Sequence, residues 1–103
     1  MAAKPKLLKL VDESSEVRCT VGTGLIREEV WIDRQGKVQR YNLAFINHHL
    51  WPLDNGRVLG YDNAHGHHHY HLRGMSQLCE YVSYATTLER FIQEVASLRK
   101  KAQ

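Results

Sequence analysis

The 103 residues include 43% hydrophobic and 24% charged side chains, an ordinary globular composition that excludes a disordered chain. No stretch approaches the roughly 20 apolar residues of a membrane span, and no apolar segment after the basic start indicates a secretory signal. The net charge of +3 permits contact with nucleic acid or an acidic partner without requiring it. We therefore expect a soluble, cytoplasmic single domain over 1–103, with 1–6 as a frayed leader.

Strands are predicted through the first half of the chain. In residues 17–21 and 25–32, apolar and polar side chains alternate, which is typical of half-buried strands. The predicted strands of this half are 7–11, 17–21, 25–32 and 37–46. The turns predicted between them are 12–15, 22–24 and 33–36, the last containing Gly36, which can adopt a positive φ.

The second half combines shorter strands with one helix. The predicted order is a connection at 47–56, a strand at 57–61, a turn at 62–66, an extended segment at 67–72 and a turn at 73–74. Residues 75–85 also fit helical spacing, but their aromatic and β-branched content favours a strand at about 79–84.

A capping box of Thr86 and Glu89 predicts the start of the final helix. Its predicted apolar stripe consists of Leu88, Phe91, Ile92, Val95 and Leu98. The cations expected in its last turn are Arg99, Lys100 and Lys101, which oppose the helix dipole.

These elements predict an α+β fold, in which an antiparallel sheet of five or six strands carries the C-terminal helix on one face. A single helix cannot cover both faces, so the other face is solvated, lies in a dimer interface or binds a partner. Cys19 and Cys79 are expected to be reduced, partly buried thiols. His48 and His49 fall in a loop and favour no function, and Trp51 is either a core residue or an exposed contact.

The most informative feature is a cluster of five histidines within seven positions, residues 65–71. If residues 67–71 are extended, His67, His69 and His71 point to one face of the sheet. Neighbours on that face then have Cα atoms about 6.8 Å apart, so their imidazoles can converge on one small group. His68 and Tyr70 point to the other face.

One interpretation of the cluster is general acid–base catalysis of RNA cleavage. A base must take the 2′-hydroxyl proton and an acid must protonate the leaving 5′ oxygen, and two histidines can do both, each worth roughly 10² to 10⁴ in rate. A cation must stabilise the phosphorane oxygens. The candidates for acid, base or tautomer control are His65, His67, His69, His71, Tyr61 and Asp62. The candidate cations are Arg73, which is nearest in sequence, and Arg27, Arg40 and Arg57 from across the sheet.

Two other interpretations stay open. In the first, His67, His69 and Asp62, with His65 nearby, bind Zn²⁺ or Mn²⁺ for hydrolysis or structure, although the spacing matches no closed zinc finger. In the second, the histidines are plain surface residues with ordinary pKa values. Asp62 and Asn63 are also common turn residues.

The segments Arg40 to Ile46 (RYNLAFI) and Arg57 to Gly66 (RVLGYDNAHG), followed by the histidines, resemble the TumE-type toxins of bacterial and archaeal toxin–antitoxin modules. The resemblance covers about residues 25–100. It implies a cytoplasmic toxin that a helix-turn-helix antitoxin binds and neutralises. The matching positions are Tyr61, Asp62, Asn63, His67, His69 and His71.

The leading hypothesis is therefore a toxin that cleaves RNA with clustered histidines. The alternative is a non-catalytic module whose histidine-rich face binds metal or a protein partner. A homodimer through the uncovered sheet face is a third possibility. No cofactor is required by the acid–base chemistry, and zinc belongs only to the metal-binding interpretation.

Overall fold

The computed structural model describes residues 6–101 and contains a six-stranded antiparallel sheet followed by one helix, which confirms the predicted α+β class. Strands β1 to β6 are hydrogen-bonded in chain order, so each pairs with its neighbour in sequence. The strands are Leu8–Arg18, Thr23–Ile32, Val38–Ile46, Arg57–Asp62, His69–Leu72 and Met75–Leu78, and helix α1 is Tyr84–Leu98. Lys6 is exposed, and the rest of the predicted leader lies outside the described residues.

The first hairpin differs from its prediction. Strand β1 runs without interruption through residues 12–15 and pairs with β2 from Leu8 opposite Ile32 to Arg18 opposite Thr23, so the predicted turn there is wrong. Polar side chains are tolerated because β1 is an exposed edge strand. The hairpin turn instead lies at 19–22, between the two strands.

The strand predicted at 79–84 is also displaced. Arg73 and Gly74, with φ of 43° and 81°, form a two-residue turn, and β6 follows at once. Paired positive φ values are typical of the type I′ turns that match strand twist. Residues 79–83 have no regular structure, so that prediction was wrong.

Helix α1 begins one turn before the predicted capping box. The hydroxyl of Ser83 accepts a hydrogen bond from the Thr86 amide at 3.1 Å, so Ser83 is the N-cap and Thr86 lies inside the helix. The earlier start lets the Tyr84 ring pack on Tyr41, with ring centroids 5.4 Å apart.

The end of the helix and its apolar stripe need smaller corrections. Residues 99–101 follow the helix instead of forming its last turn, and Arg99 Nε donates to the Arg18 carbonyl at 2.8 Å. Ile92, predicted in the stripe, is 54% exposed, whereas Thr87 is buried in its place.

The core lies between α1 and the sheet. The helix side of the sheet carries alternate residues, Tyr41, Leu43 and Phe45 in β3 and Leu59 and Tyr61 in β4, and all are almost fully buried. Val58, which lies at an irregularity in the pairing of β3 with β4, is fully buried as well. The core comprises Tyr41, Leu43, Phe45, Val58, Leu59, Tyr61, Phe91, Val95 and Leu98. Within residues 6–101, no helix covers the opposite face of the sheet, and we call it the open face.

The connection at 47–56 is fixed by Asn47, which is 1% exposed. Its side-chain amide donates to the Val21 carbonyl at 2.9 Å, and its side-chain oxygen accepts from the His49 amide at 2.9 Å. Trp51 packs against the core, which settles the choice that the sequence left open. His48 and His49 are exposed in this loop.

Cys19 and Cys79 are free, partly buried thiols, as expected. Across residues 6–101, no helix combines the length and apolar character that crossing a membrane requires.

Candidate functional site

The pairing of β4 with β5 brings an acidic side chain to two histidines on the open face. Asp62 is directly opposite His69, and Gly60 is directly opposite His71. Because successive side chains of a strand alternate between faces, His69 and His71 share the face of Asp62. The predicted same-face placement of these two histidines is thus seen in the geometry.

Asp62 makes its closest contact with His71. Oδ2 of Asp62 lies 2.8 Å from Nε2 of His71, whereas Oδ1 lies 3.9 Å from Nδ1 of His69. The first distance is a hydrogen bond and the second is a through-space ion pair when His69 is protonated. The ring centroids of His69 and His71 are 6.0 Å apart.

This hydrogen bond fixes the proton position on His71. A carboxylate can only accept, so in the neutral imidazole Nε2 carries the proton and Nδ1 is free to accept one. The three side chains keep between 15% and 25% of their surface exposed, so solvent and ligands can reach them. The arrangement can hold one imidazole in a fixed tautomer beside a second one.

A cation adjoins the same carboxylate. Arg57 Nε is 2.9 Å from Asp54 Oδ2, and its Nη1 is 4.0 Å from Asp62 Oδ2. A Cβ at Gly60 would lie 3.1 Å from Arg57 Cδ, so glycine leaves the space that the arginine stem occupies. Asp62 Oδ1 also accepts from the Ala64 amide at 3.1 Å, which anchors the turn after β4.

Tyr61, a predicted member of the site, lies on the helix-covered face. Its hydroxyl donates to Glu94 Oε1, and Tyr70 donates to Glu94 Oε2 at 2.9 Å. Burial, reinforced by Glu94, raises the pKa of Tyr61 well above its usual value and that of Tyr70 to about 12. Neither hydroxyl faces the histidines of the open face, so they cannot orient His69 or His71.

The other clustered histidines are distributed over different surroundings. His68 lies towards the helix side, stacked on Tyr81 with centroids 3.9 Å apart, and its Nδ1 is 2.8 Å from the Tyr41 hydroxyl. Burial lowers the pKa of His68. His67 is exposed, its ring centroid 6.4 Å from that of His69, and His65 is exposed in the short 3₁₀ turn Ala64–Gly66.

Asn63 and Arg73 have distinct placements. The Asn63 side chain accepts from the Tyr41 amide at 3.0 Å and donates to the Gln39 carbonyl at 2.9 Å, so it extends the hydrogen bonding of β3 beyond the end of β4. Arg73 is exposed in the turn two residues after His71.

Sequence reasoning missed the carboxylates and the tryptophan of the open face. Lys9 lies 3.0 Å from Asp12 and 2.9 Å from Glu29, and Arg27 lies 2.7 Å from the same Asp12. The pKa of Glu29 is lowered, chiefly by its hydrogen bond with the Lys9 ammonium. These ion pairs depend on the register between β1 and β2. The sequence showed only that side chains alternate within β2, which does not predict that register.

Trp31 stands between two cations on the open face. Lys9 Nζ lies 4.9 Å from its ring centroid and the Arg40 guanidinium carbon lies 4.8 Å away. Both residues are directly opposite Trp31 in the strand register, Lys9 in β1 and Arg40 in β3. Cations at this distance are attracted by the indole face.

Metal binding gains no support from the described geometry. Within residues 6–101, no group of three or more His, Cys, Asp or Glu side chains is arranged to hold a metal ion. The predicted candidates His67, His69 and Asp62 therefore do not form such a group. The acid–base interpretation depends on no metal.

Comparison with protein families gives a match to the model described as toxin TumE over residues 9–99, which is most of the chain. Comparison with curated proteins and with solved structures gave no significant match.

Proposed function

The chain belongs to the TumE toxin family, which implies an antitoxin partner, and from this premise we propose that it cleaves RNA with His69 and His71. The observation that carries the proposal is the hydrogen bond of Asp62 to His71, with the His69 ring 6.0 Å from that of His71 on the open face. Two imidazoles at this spacing can contact the attacking and leaving oxygens of one phosphodiester.

His71 is the proposed general base. Its Nε2 is engaged by Asp62, so its Nδ1 has a free lone pair to take the proton of a ribose 2′-hydroxyl. As the imidazole becomes positively charged, the carboxylate at 2.8 Å stabilises it. The attack forms a bond from the 2′ oxygen to phosphorus.

His69 is the proposed general acid. The Asp62 carboxylate lies 3.9 Å from its Nδ1, where it can pair with an imidazolium. Its proton passes to the 5′ oxygen as the bond between that oxygen and phosphorus breaks. The products are a 2′,3′-cyclic phosphate and a 5′-hydroxyl, so no water is consumed in this step.

The proposed stabilising cations are Arg57 and Arg73. Arg57 already lies beside Asp62, and Arg73 follows His71 closely in sequence. Positive charge near the phosphorane oxygens lowers the barrier because that charge develops there in the transition state. His65 and His67 take no chemical step in this proposal, and Tyr61 is held by Glu94.

The same proposal includes the biological setting. RNA as substrate fits a toxin acting in the cytoplasm, and the antitoxin that neutralises it is proposed to be a helix-turn-helix protein, as the family resemblance implies. The homodimer hypothesis concerns the open face, which no helix covers within residues 6–101.

The test uses His69→Asn and His71→Asn, with His48→Asn as matched control, because His48 is exposed in a loop remote from β5 in the sequence. Growth after induced expression and cleavage of labelled RNA by purified protein are measured at equal protein levels. Each of the two variants should lose roughly 10² to 10⁴ in cleavage rate and relieve growth arrest, whereas the control should not.

The chemistry of the ends gives a second criterion. Wild-type products should carry 2′,3′-cyclic phosphate, which phosphatase leaves intact until the ring is opened. A wild type that arrests growth without cleaving RNA would refute the nuclease and leave the toxin assignment standing. Equal cleavage by wild type and both variants would refute the roles of the histidines.

A further inference from the structure

A broad depression of about 630 Å³ lies at the end of the sheet, beside the turn that follows Asp62. Arg40, Asn63, His65 and His68 are among the residues that line it. Pockets of about 300–1,000 Å³ accommodate small molecules, so one nucleotide fits this space. Its lining mixes cationic, amide and imidazole groups, which is the chemistry that phosphates and bases engage.

Arg40 is the cation of this depression that remains available for an anion. Two neighbouring cations of the open face, Lys9 and Arg27, are paired with Asp12 and Glu29. Within residues 6–101, Arg40 has no carboxylate within salt-bridge distance, and its guanidinium lies over the Trp31 ring instead. Stacking on an indole fixes the guanidinium plane while leaving its N–H donors free for a phosphate.

His65 occupies an unusual backbone conformation at the edge of the depression. Its φ is 63°, in the left-handed region that glycine adopts readily and that costs other residues free energy. Its side chain is nevertheless an exposed imidazole that lines the depression. His68 presents a second imidazole to the same space, held by Tyr81 and Tyr41.

Asp62 links the depression to the candidate active site. One of its oxygens accepts from the Ala64 amide in the turn that bears His65, and the other contacts His71. The turn that lines the depression is therefore anchored to the same carboxylate that contacts the proposed base. An RNA strand bound across the proposed acid and base could extend into this depression.

We infer that this depression is a subsite for one RNA nucleotide flanking the cleaved phosphodiester, with Arg40 binding its phosphate and His65 contacting its base. The inference rests on the proposed function. Imidazoles stack on bases, and single-stranded RNA is recognised chiefly through such stacking and phosphate contacts.

The binding test is made on the full chain carrying His71→Asn, which removes the proposed base without touching the depression. The probe is a fluorescein-labelled oligoribonucleotide, and its dissociation constant is measured by anisotropy at several salt concentrations. Adding Arg40→Gln should weaken binding about tenfold and reduce the salt slope by about one, as loss of one phosphate contact does. Arg90→Gln on helix α1 is the control with the same charge change.

A second variant avoids disturbing the fold. His65→Gly suits the positive φ and removes the ring, so it should weaken binding by about fivefold or more through loss of stacking while leaving thermal stability equal or higher. In the wild-type background, Arg40→Gln should raise KM and leave kcat nearly unchanged.

The outcomes separate the two proposals. If Arg40→Gln and His65→Gly bind the probe as tightly as their parent while the wild type still cleaves RNA, the subsite is refuted and the nuclease stands. If the same two variants weaken binding but the wild type cleaves no RNA, the nuclease is refuted and the depression is an RNA-binding site. Equal loss in Arg90→Gln would show that only net charge matters and would overturn the subsite.

Discussion

The substitution Asp62→Asn tests the proposed catalytic arrangement while preserving the shape of the side chain. Asparagine keeps one oxygen, which can still accept from the Ala64 amide as Asp62 Oδ1 does at 3.1 Å. It places an NH₂ group where Oδ2 now faces His71 Nε2 at 2.8 Å. Two donors would then oppose each other, so His71 must carry its proton on Nδ1 and can no longer accept one there.

The expected loss of rate follows from the hydrogen bond removed. A hydrogen bond to a charged group contributes about 1.5–3 kcal/mol, and each 1.36 kcal/mol of barrier is tenfold in rate. The substitution should therefore slow the chemical step by roughly 10- to 150-fold, and the unfavourable tautomer of His71 adds to this. Stability should change little, because the remaining ionic partners, His69 and Arg57, are 3.9 and 4.0 Å away and partly exposed.

The assay is single-turnover cleavage of labelled RNA between about pH 5 and pH 9, with thermal unfolding of both proteins measured in parallel. We expect Asp62→Asn to lower the plateau rate and leave the unfolding temperature within a few degrees of wild type. Asp54→Asn is the matched control, since Asp54 also pairs with Arg57 but does not contact His71. A full rate in Asp62→Asn, or an equal loss in Asp54→Asn, would refute the reasoning.

Two further predictions concern stability. Because burial, with Glu94, raises the pKa of Tyr70 from 10.0 to about 12, its neutral form is favoured in the folded state, so this stability is complete below pH 10 and is lost as the pH rises through 12. Thermal unfolding should show a shallower alkaline decline in Tyr70→Phe than in wild type; identical declines would contradict this. Ser83→Ala removes the N-cap of α1 and should cost about 1 kcal/mol, or roughly 4–8 °C in unfolding temperature. Ser97→Ala, exposed near the end of the helix, is its control, and an equal loss there would count against the cap.

The fold class was predictable because local signals agreed with it. Alternating residues marked β2 and β3, and the turn at 33–36 is held by its own side chain, with Asp33 Oδ1 accepting from the Lys37 amide at 3.0 Å. Residues 12–15 misled because Asp and Ser are turn residues, whereas here an exposed edge strand accepts them and pairs Asp12 with Arg27 at 2.7 Å. Local composition does not reveal which strand is an edge.

The candidate site was predictable only in part. Alternation put His69 and His71 on one face, but their pairing with Asp62 depends on the register of β4 with β5. The connection between these strands, residues 63–68, determines that register. Its backbone is irregular: His65 has a positive φ, and the Asn63 side chain accepts a hydrogen bond from β3. Tyr61 could have been separated from Asp62 by parity alone, since neighbours in a strand point to opposite faces.

The buried face explains how the exposed site keeps its geometry. Glu94 accepts hydrogen bonds from Tyr61 in β4 and Tyr70 in β5, and these residues directly precede Asp62 and His71. Tying both strands to one carboxylate on α1 restricts their sliding, and a slip of one residue would turn His71 away from Asp62. We therefore expect the contact at 2.8 Å on the open face to depend on side chains of the other face. Pre-organisation of this kind favours acid–base catalysis, because less entropy is lost when the proton donor and acceptor already lie in position.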